Sequence, residues 1–131
     1  MQIKAEVNFL KEDVFQIKTF PSEALLSIDK KKEGQVPGGP NPLEMFLSAL
    51  AGCIGVYAKM YFGRHAVQFK RLEIQAEAEF TTDSPARLKD IIVKVNTDAQ
   101  LADKEVFLRF VSNCPVHNTI LHTKEVKINL I

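Results

Sequence analysis

Strict alternation of apolar and polar residues marks four segments of the chain as strands. Ile3, Ala5, Val7 and Phe9 share one face, with Lys4, Glu6 and Asn8 on the other. Leu72, Ile74, Ala76, Ala78 and Phe80 repeat the pattern against Glu73, Gln75, Glu77 and Glu79, and Ile91, Val93 and Val95 follow. Val126, Ile128 and Leu130 predict a last strand near the end of the chain. Residues 14–20 and 24–28 read as two further short strands, turned by Pro21 and Ser22. The cluster Thr82-Asp83-Ser84-Pro85 predicts a hairpin between the strands on either side of it. Alternating charges on the polar faces read as solvated surface.

Two segments change period from two to 3.6. After a loop over residues 30–40, Asn41 is suited to cap a helix, Pro42 to open it, and Glu44 to close a capping box. Leu43, Phe46, Leu47, Leu50, Ile54, Tyr57 and Tyr61 keep helical spacing to about Phe62, where Gly63 is the expected stop. A second helix is expected from about Leu101 to Asn113, with Phe107, Phe110, Val111 and Cys114 on one face. Pro115 breaks it, and residues 116–121 fit one more short helix. Strands, long helix, strands, helix and final strand predict an α+β fold in a single domain over 1–131. Six strands cannot shield both sides of so long an apolar helix, so a homodimer is expected.

Composition narrows the function. The 131 residues carry 17 Lys+Arg against 16 Asp+Glu, a net charge of +1 that gives no field to recruit nucleic acid or anionic lipid. The weakly polar stretch from Met45 to Met60 is interrupted by Lys59 and too short to span a bilayer, and the N-terminus shows no leader pattern. A cytoplasmic location is expected, where a disulfide is more often redox-active than structural.

Two cysteines are therefore the residues with most chemistry to offer. Cys53 lies at the edge of the long helix's apolar stripe, the ordinary place for a small buried hydrophobe. Its neighbours Ala49, Ala51, Gly52 and Gly55 leave room around the sulfur for a ligand or a second helix. Two helical glycines cost about 1 kcal/mol each against alanine, which some contact must offset. Cys114 precedes a proline and is expected to cap the helix that follows, where the dipole and free N–H groups favour a thiolate. His117 shares that first turn and is positioned to hydrogen-bond the sulfur, as a capping partner or an assisting residue. Cys53, Cys114, His117 and His122 form a conceivable zinc set, but neither Cys-x-x-Cys nor His-Glu-x-x-His occurs, and no metal is expected.

Gly38-Gly39-Pro40-Asn41-Pro42-Leu43-Glu44, then Gly52-Cys53, together with Cys114-Pro115-Val116-His117-Asn118-Thr119, resembles the OsmC/Ohr family of peroxide-handling proteins, in particular its OsmC-like branch. The resemblance implies antiparallel sheets around a long cysteine-bearing helix and an intertwined homodimer with sites at the subunit interface. It implies thiol-dependent reduction of organic hydroperoxides, with no metal or organic cofactor. Cys53 would be the peroxidatic thiol and Cys114 the resolving one, reopened by an external dithiol. Phe46, Leu50, Tyr57 and Met60 would line an apolar pocket for the substrate.

Two departures accompany the match. The family pairs an N-terminal arginine with a glutamate ten residues before the first cysteine; here no arginine precedes Arg64, and that position is Leu43. Lys31, or its neighbours Lys30 and Lys32, would have to supply the cation without the guanidinium's planar fork. The alternative function is a non-catalytic protein on the same scaffold, holding a small molecule or a partner beside a redox-sensitive cysteine pair.

Overall fold

In the computed structural model, residues 1–29 and 38–131 are described, as two compact units, Met1–Phe46 and Leu47–Ile131. The first holds an antiparallel sheet of β1 (Lys4–Lys11), β2 (Val14–Phe20) and β3 (Leu25–Asp29), in that order. Glu12, at φ 47°, makes the tight turn between β1 and β2. Val7 pairs with Ile17, which in turn pairs with Leu26, so alternation carries one apolar row across the sheet. Among the described residues of this unit, Ile17 is the buried one.

The long helix α1 (Pro42–Arg64) begins as its first residues predict. Asn41 Oδ1 accepts the Glu44 N–H at 2.9 Å, and Glu44 Oε1 accepts the Asn41 N–H at 2.9 Å, a reciprocal capping box. Its end departs from expectation. Gly63 lies inside the helix, and Ala66 takes the left-handed conformation instead, at φ 52°. The Val67 N–H donates to the Phe62 carbonyl and the Ala66 N–H to that of Gly63, which is a Schellman ending. Packing of Val67 and Phe62 in the core selects this stop over the glycine.

The second unit adds the hairpin β4 (Leu72–Phe80) and β5 (Leu88–Thr97), then α2 (Lys104–Ser112) and α3 (Pro115–His122). Ile74 faces Val95 and Ala76 faces Val93 across the antiparallel ladder, as the alternation predicts. On the outer face Lys94 and Glu77 form an exposed ion pair at 2.7 Å. The helix α2 starts three residues later than its apolar spacing suggests, because Asp103 caps it by accepting from the Glu105 and Val106 N–H groups.

The core sits between α1, α2 and the hairpin: Leu50, Ile54, Ala58, Tyr61 and Phe62 meet Phe107, Val111 and Cys114. Phe62 stacks on Phe107 with centroids 5.6 Å apart, and Tyr61 meets Phe107 edge-on at 5.2 Å. As a 23-residue helix, α1 exceeds the apolar run that reads as too short in the sequence, and by length and composition alone it could cross a membrane. Its inner stripe is instead packed in protein.

The expected last strand does not form. Residues 126–130 have no ladder partner among the described residues, and Val126, Ile128 and Leu130 are 76%, 92% and 103% exposed. Alternation supplies a strand's apolar face but no hydrogen-bonding neighbour, and a strand needs both.

Candidate active site

The two sulfurs, 61 positions apart in sequence, meet in one place. Cys114 belongs to the core of the second unit with no exposed surface, and Cys53, half-buried on α1, packs against that same core. The local reasons are separable. Leu50, Ile54, Ala58 and Tyr61 turn one side of α1 inward, and Cys53, one position before Ile54, falls at the margin of that stripe. Pro115 stops α2 and opens α3, leaving Cys114 in extended conformation at φ −72° and ψ 147° as the N-cap.

The cap is sulfur. Cys114 Sγ accepts the His117 N–H at 3.4 Å. Burial nevertheless pushes the Cys114 thiol above its ordinary range; the His117 and Val116 N–H groups oppose this only in part, while a hydrogen bond and repulsion from Cys53 add to it. This corrects the expectation that the helix start makes Cys114 the readily ionised thiol. Desolvation of a fully enclosed sulfur outweighs the helix dipole.

His117 takes a different part from the one its spacing suggests. Its backbone, rather than its imidazole, holds the sulfur. The ring Nδ1 donates to the Ser112 carbonyl at 2.7 Å, tying the start of α3 to the end of α2. Asn118 makes a parallel tie, its Nδ2 donating to Asn113 Oδ1 at 3.0 Å. Sequence spacing finds the histidine, but not the carbonyl that claims its ring.

Of the residues named for an apolar lining, Leu50 is buried in the core and Tyr57 is half-buried, its ring 5.7 Å from that of Phe110. Met60, at 37% exposure, and Phe46, at 40%, are open to solvent in the chain alone. Glu44 is engaged in the helix cap. Lys31, with Lys30 and Lys32, lies outside the described residues. Among the described residues no three His, Cys, Asp or Glu side chains are grouped to hold a metal ion.

The model of OsmC-like proteins matches residues 32–130, three-quarters of the chain and both cysteine motifs. The chain belongs to the OsmC-like family. Among curated proteins no match to it was found. Solved structures share the fold. An OsmC-like protein from Mycoplasma pneumoniae is 24% identical with a TM-score of 0.73, covering 98% of this chain and 92% of that one. An osmotic stress and detoxification response protein from Psychrobacter arcticus has 15% identity and a TM-score of 0.74, covering 88% and 85%. The organic hydroperoxide resistance protein OhrB of Bacillus subtilis has 20% identity and a TM-score of 0.56, covering 91% of both chains. The α+β OsmC-like architecture expected from the motifs is thus the architecture found.

Proposed function

We propose that this OsmC-like protein reduces organic hydroperoxides in the cytoplasm through Cys53 and Cys114, using no metal or organic cofactor. The observation that carries the reading is the packing of both thiols in one apolar core, where Cys53 helps to push the Cys114 thiol up. Cys53 is the half-exposed member and the one a substrate can reach; Cys114 is enclosed and held protonated. Attack by the Cys53 thiolate on the hydroperoxide breaks the O–O bond, forming a sulfenic acid and releasing an alcohol once the alkoxide takes up a proton. The Cys114 sulfur then displaces water from the sulfenic acid to close a disulfide, and an external dithiol reopens it. Hydroperoxide resistance in the name of the Bacillus subtilis relative agrees with this chemistry.

The proposed working unit is a homodimer in which the two units of each chain act as one OsmC-like domain. Support comes from surfaces the single chain leaves bare: Val56 and Met60 on α1 and the alternating apolar row near the C-terminus. Phe46, Tyr57 and Met60 would line the substrate pocket in that assembly, with Lys31 and His117 assisting at the thiols. The test is consumption of cumene hydroperoxide with dithiothreitol, followed by mass spectrometry of the oxidised protein. A Cys53–Cys114 bridge and loss of turnover in Cys53→Ser are expected. Two untouched thiols after peroxide would favour the binding-protein alternative, for which the Leu43 departure speaks.

A further inference from the structure

A groove runs between β5 and the two short helices. It consists of two cavities, of about 280 and 650 Å³, that share Val93, Val95 and Leu108 as common wall. Neither cysteine lines either one. Together they fall in the size range of sites for small organic ligands.

The two ends differ in chemistry. The smaller cavity is walled by aliphatic side chains of four elements, among them Ile54, Ile91, Val111 and Ile120. Its polar members, Ser112 and His117, already spend a carbonyl and a ring N–H on each other. The larger cavity ends in polar groups, and most of these are committed too. Asp98 accepts the Lys70 and Arg71 N–H groups, Asn96 bridges Arg71 and Glu73, and Thr97 bonds the Arg71 carbonyl and the Ala99 N–H. Lys104 and Gln100 remain. Both are exposed, and neither has a hydrogen bond or ion pair among the described residues.

We infer that this groove binds a medium-chain fatty acid, its carboxylate on Lys104 and the Gln100 amide and its tail in the aliphatic end. An ammonium and an amide N–H₂ are donors, so the matching head is an anionic acceptor. The one carboxylate on the same wall, Asp98, stays ionised where it accepts the Lys70 and Arg71 N–H groups, so the head must sit on the Lys104 side of it. From Thr97 to Ile91 the strand gives a floor about 20 Å long, at 3.4 Å per residue, with side chains of every second residue on it. Leu108, 52% exposed, lines both cavities. Its aliphatic end shares Leu50 and His117 with the neighbourhood of the thiols, but neither cysteine lines it.

Isothermal titration of the full chain with decanoate, decanol and decylamine tests this. Decanoate is expected to bind one per chain and decylamine not measurably, with dodecanoate tighter and octanoate weaker by about tenfold each, the gain for two buried methylenes. Lys104→Glu should weaken decanoate at least tenfold while leaving decanol unchanged, and Leu108→Trp should block both. Because the decanoate-to-decanol ratio is read within the Lys104→Glu variant itself, a folding defect in Leu108→Trp does not spare the proposal. Cys53→Ser should bind decanoate as the native chain does, so loss of peroxidase activity and loss of this site are told apart. Equal binding of acid and amine, no effect of Lys104→Glu, or loss of binding in Cys53→Ser would each overturn the inference. So would a change of mass in light scattering at saturating decanoate, which would mean that a second copy occupies the groove.

Discussion

The two sides of α1 are built from the same kinds of residue and meet different surroundings. On one side Leu50, Ile54, Ala58, Tyr61 and Phe62 are buried in the core of their own chain. On the other, Val56 is 60% exposed, and Met60 is open as well. The glycines divide in the same way. A side chain at Gly55 would meet Ile74 Cγ1 at 3.3 Å, so its absence is what lets β4 approach the helix. A side chain at Gly52 would meet nothing within 4 Å. Gly55 is thus explained by packing within the chain, whereas Gly52, like Gly63 at the end of the helix, has no such contact among the described residues. An apolar makeup all round a helix therefore leaves open which side is already satisfied; only the neighbours decide that.

The contrast can be attacked first where it is strongest. Phe62→Ala empties a fully buried site stacked on Phe107 and should cost about 3–5 kcal/mol, read from the denaturant midpoint. A loss below about 1 kcal/mol would mean the inner face is not the core. Gly55→Val forces branched methyls against Ile74 and is expected to cost about 1–3 kcal/mol in the same measurement. Gly52→Ala probes the other side, because helix propensity alone would raise stability by about 1 kcal/mol. With the proposed dimer in place the expected gain is smaller, and self-association weakens in a light-scattering dilution series. A full gain with unchanged mass would leave that face bare.

A more modest effect concerns Cys114. Its folded-state ionisation lies above the ordinary thiol value, so the unfolded chain loses that proton first as pH rises. The stability contributed by the enclosed neutral thiol is complete below the ordinary thiol range and is lost as pH climbs through it toward the raised value. Unfolding curves recorded from neutral pH up through the thiol range should show this decline in the native chain and less of it in Cys114→Ala.

Much of this was legible from residue order alone, where the governing interaction is local. Asn41 and Glu44 sit three residues apart and bond each other as that spacing requires, and Cys114-Pro115 breaks and restarts the helix as proline must. Alternation in β4 and β5 assigns the correct faces because the pleat has a period of two. Errors arise where a distant partner decides. Gly63 has the better local claim to end α1, yet contact between Val67 and Phe62 moves the stop to Ala66. The acidity expected of Cys114 fails because a cap argument sees the helix start and not the enclosure around it. Residues 126–130 repeat the point on a larger scale, having the pattern of a strand and no ladder partner among the described residues.

The cap of α3 is an atom that can change its oxidation state. An oxygen cap is chemically inert, whereas at Cys114 the acceptor of the His117 amide is the same sulfur that a disulfide or an oxidant would claim. Every chemical event at that position is therefore communicated to the first turn of a helix, and through the imidazole to the carbonyl that closes the preceding one. The amide proton of His117 is a reporter that the fold has installed beside its own reactive group, readable by nuclear resonance without any label on the thiol.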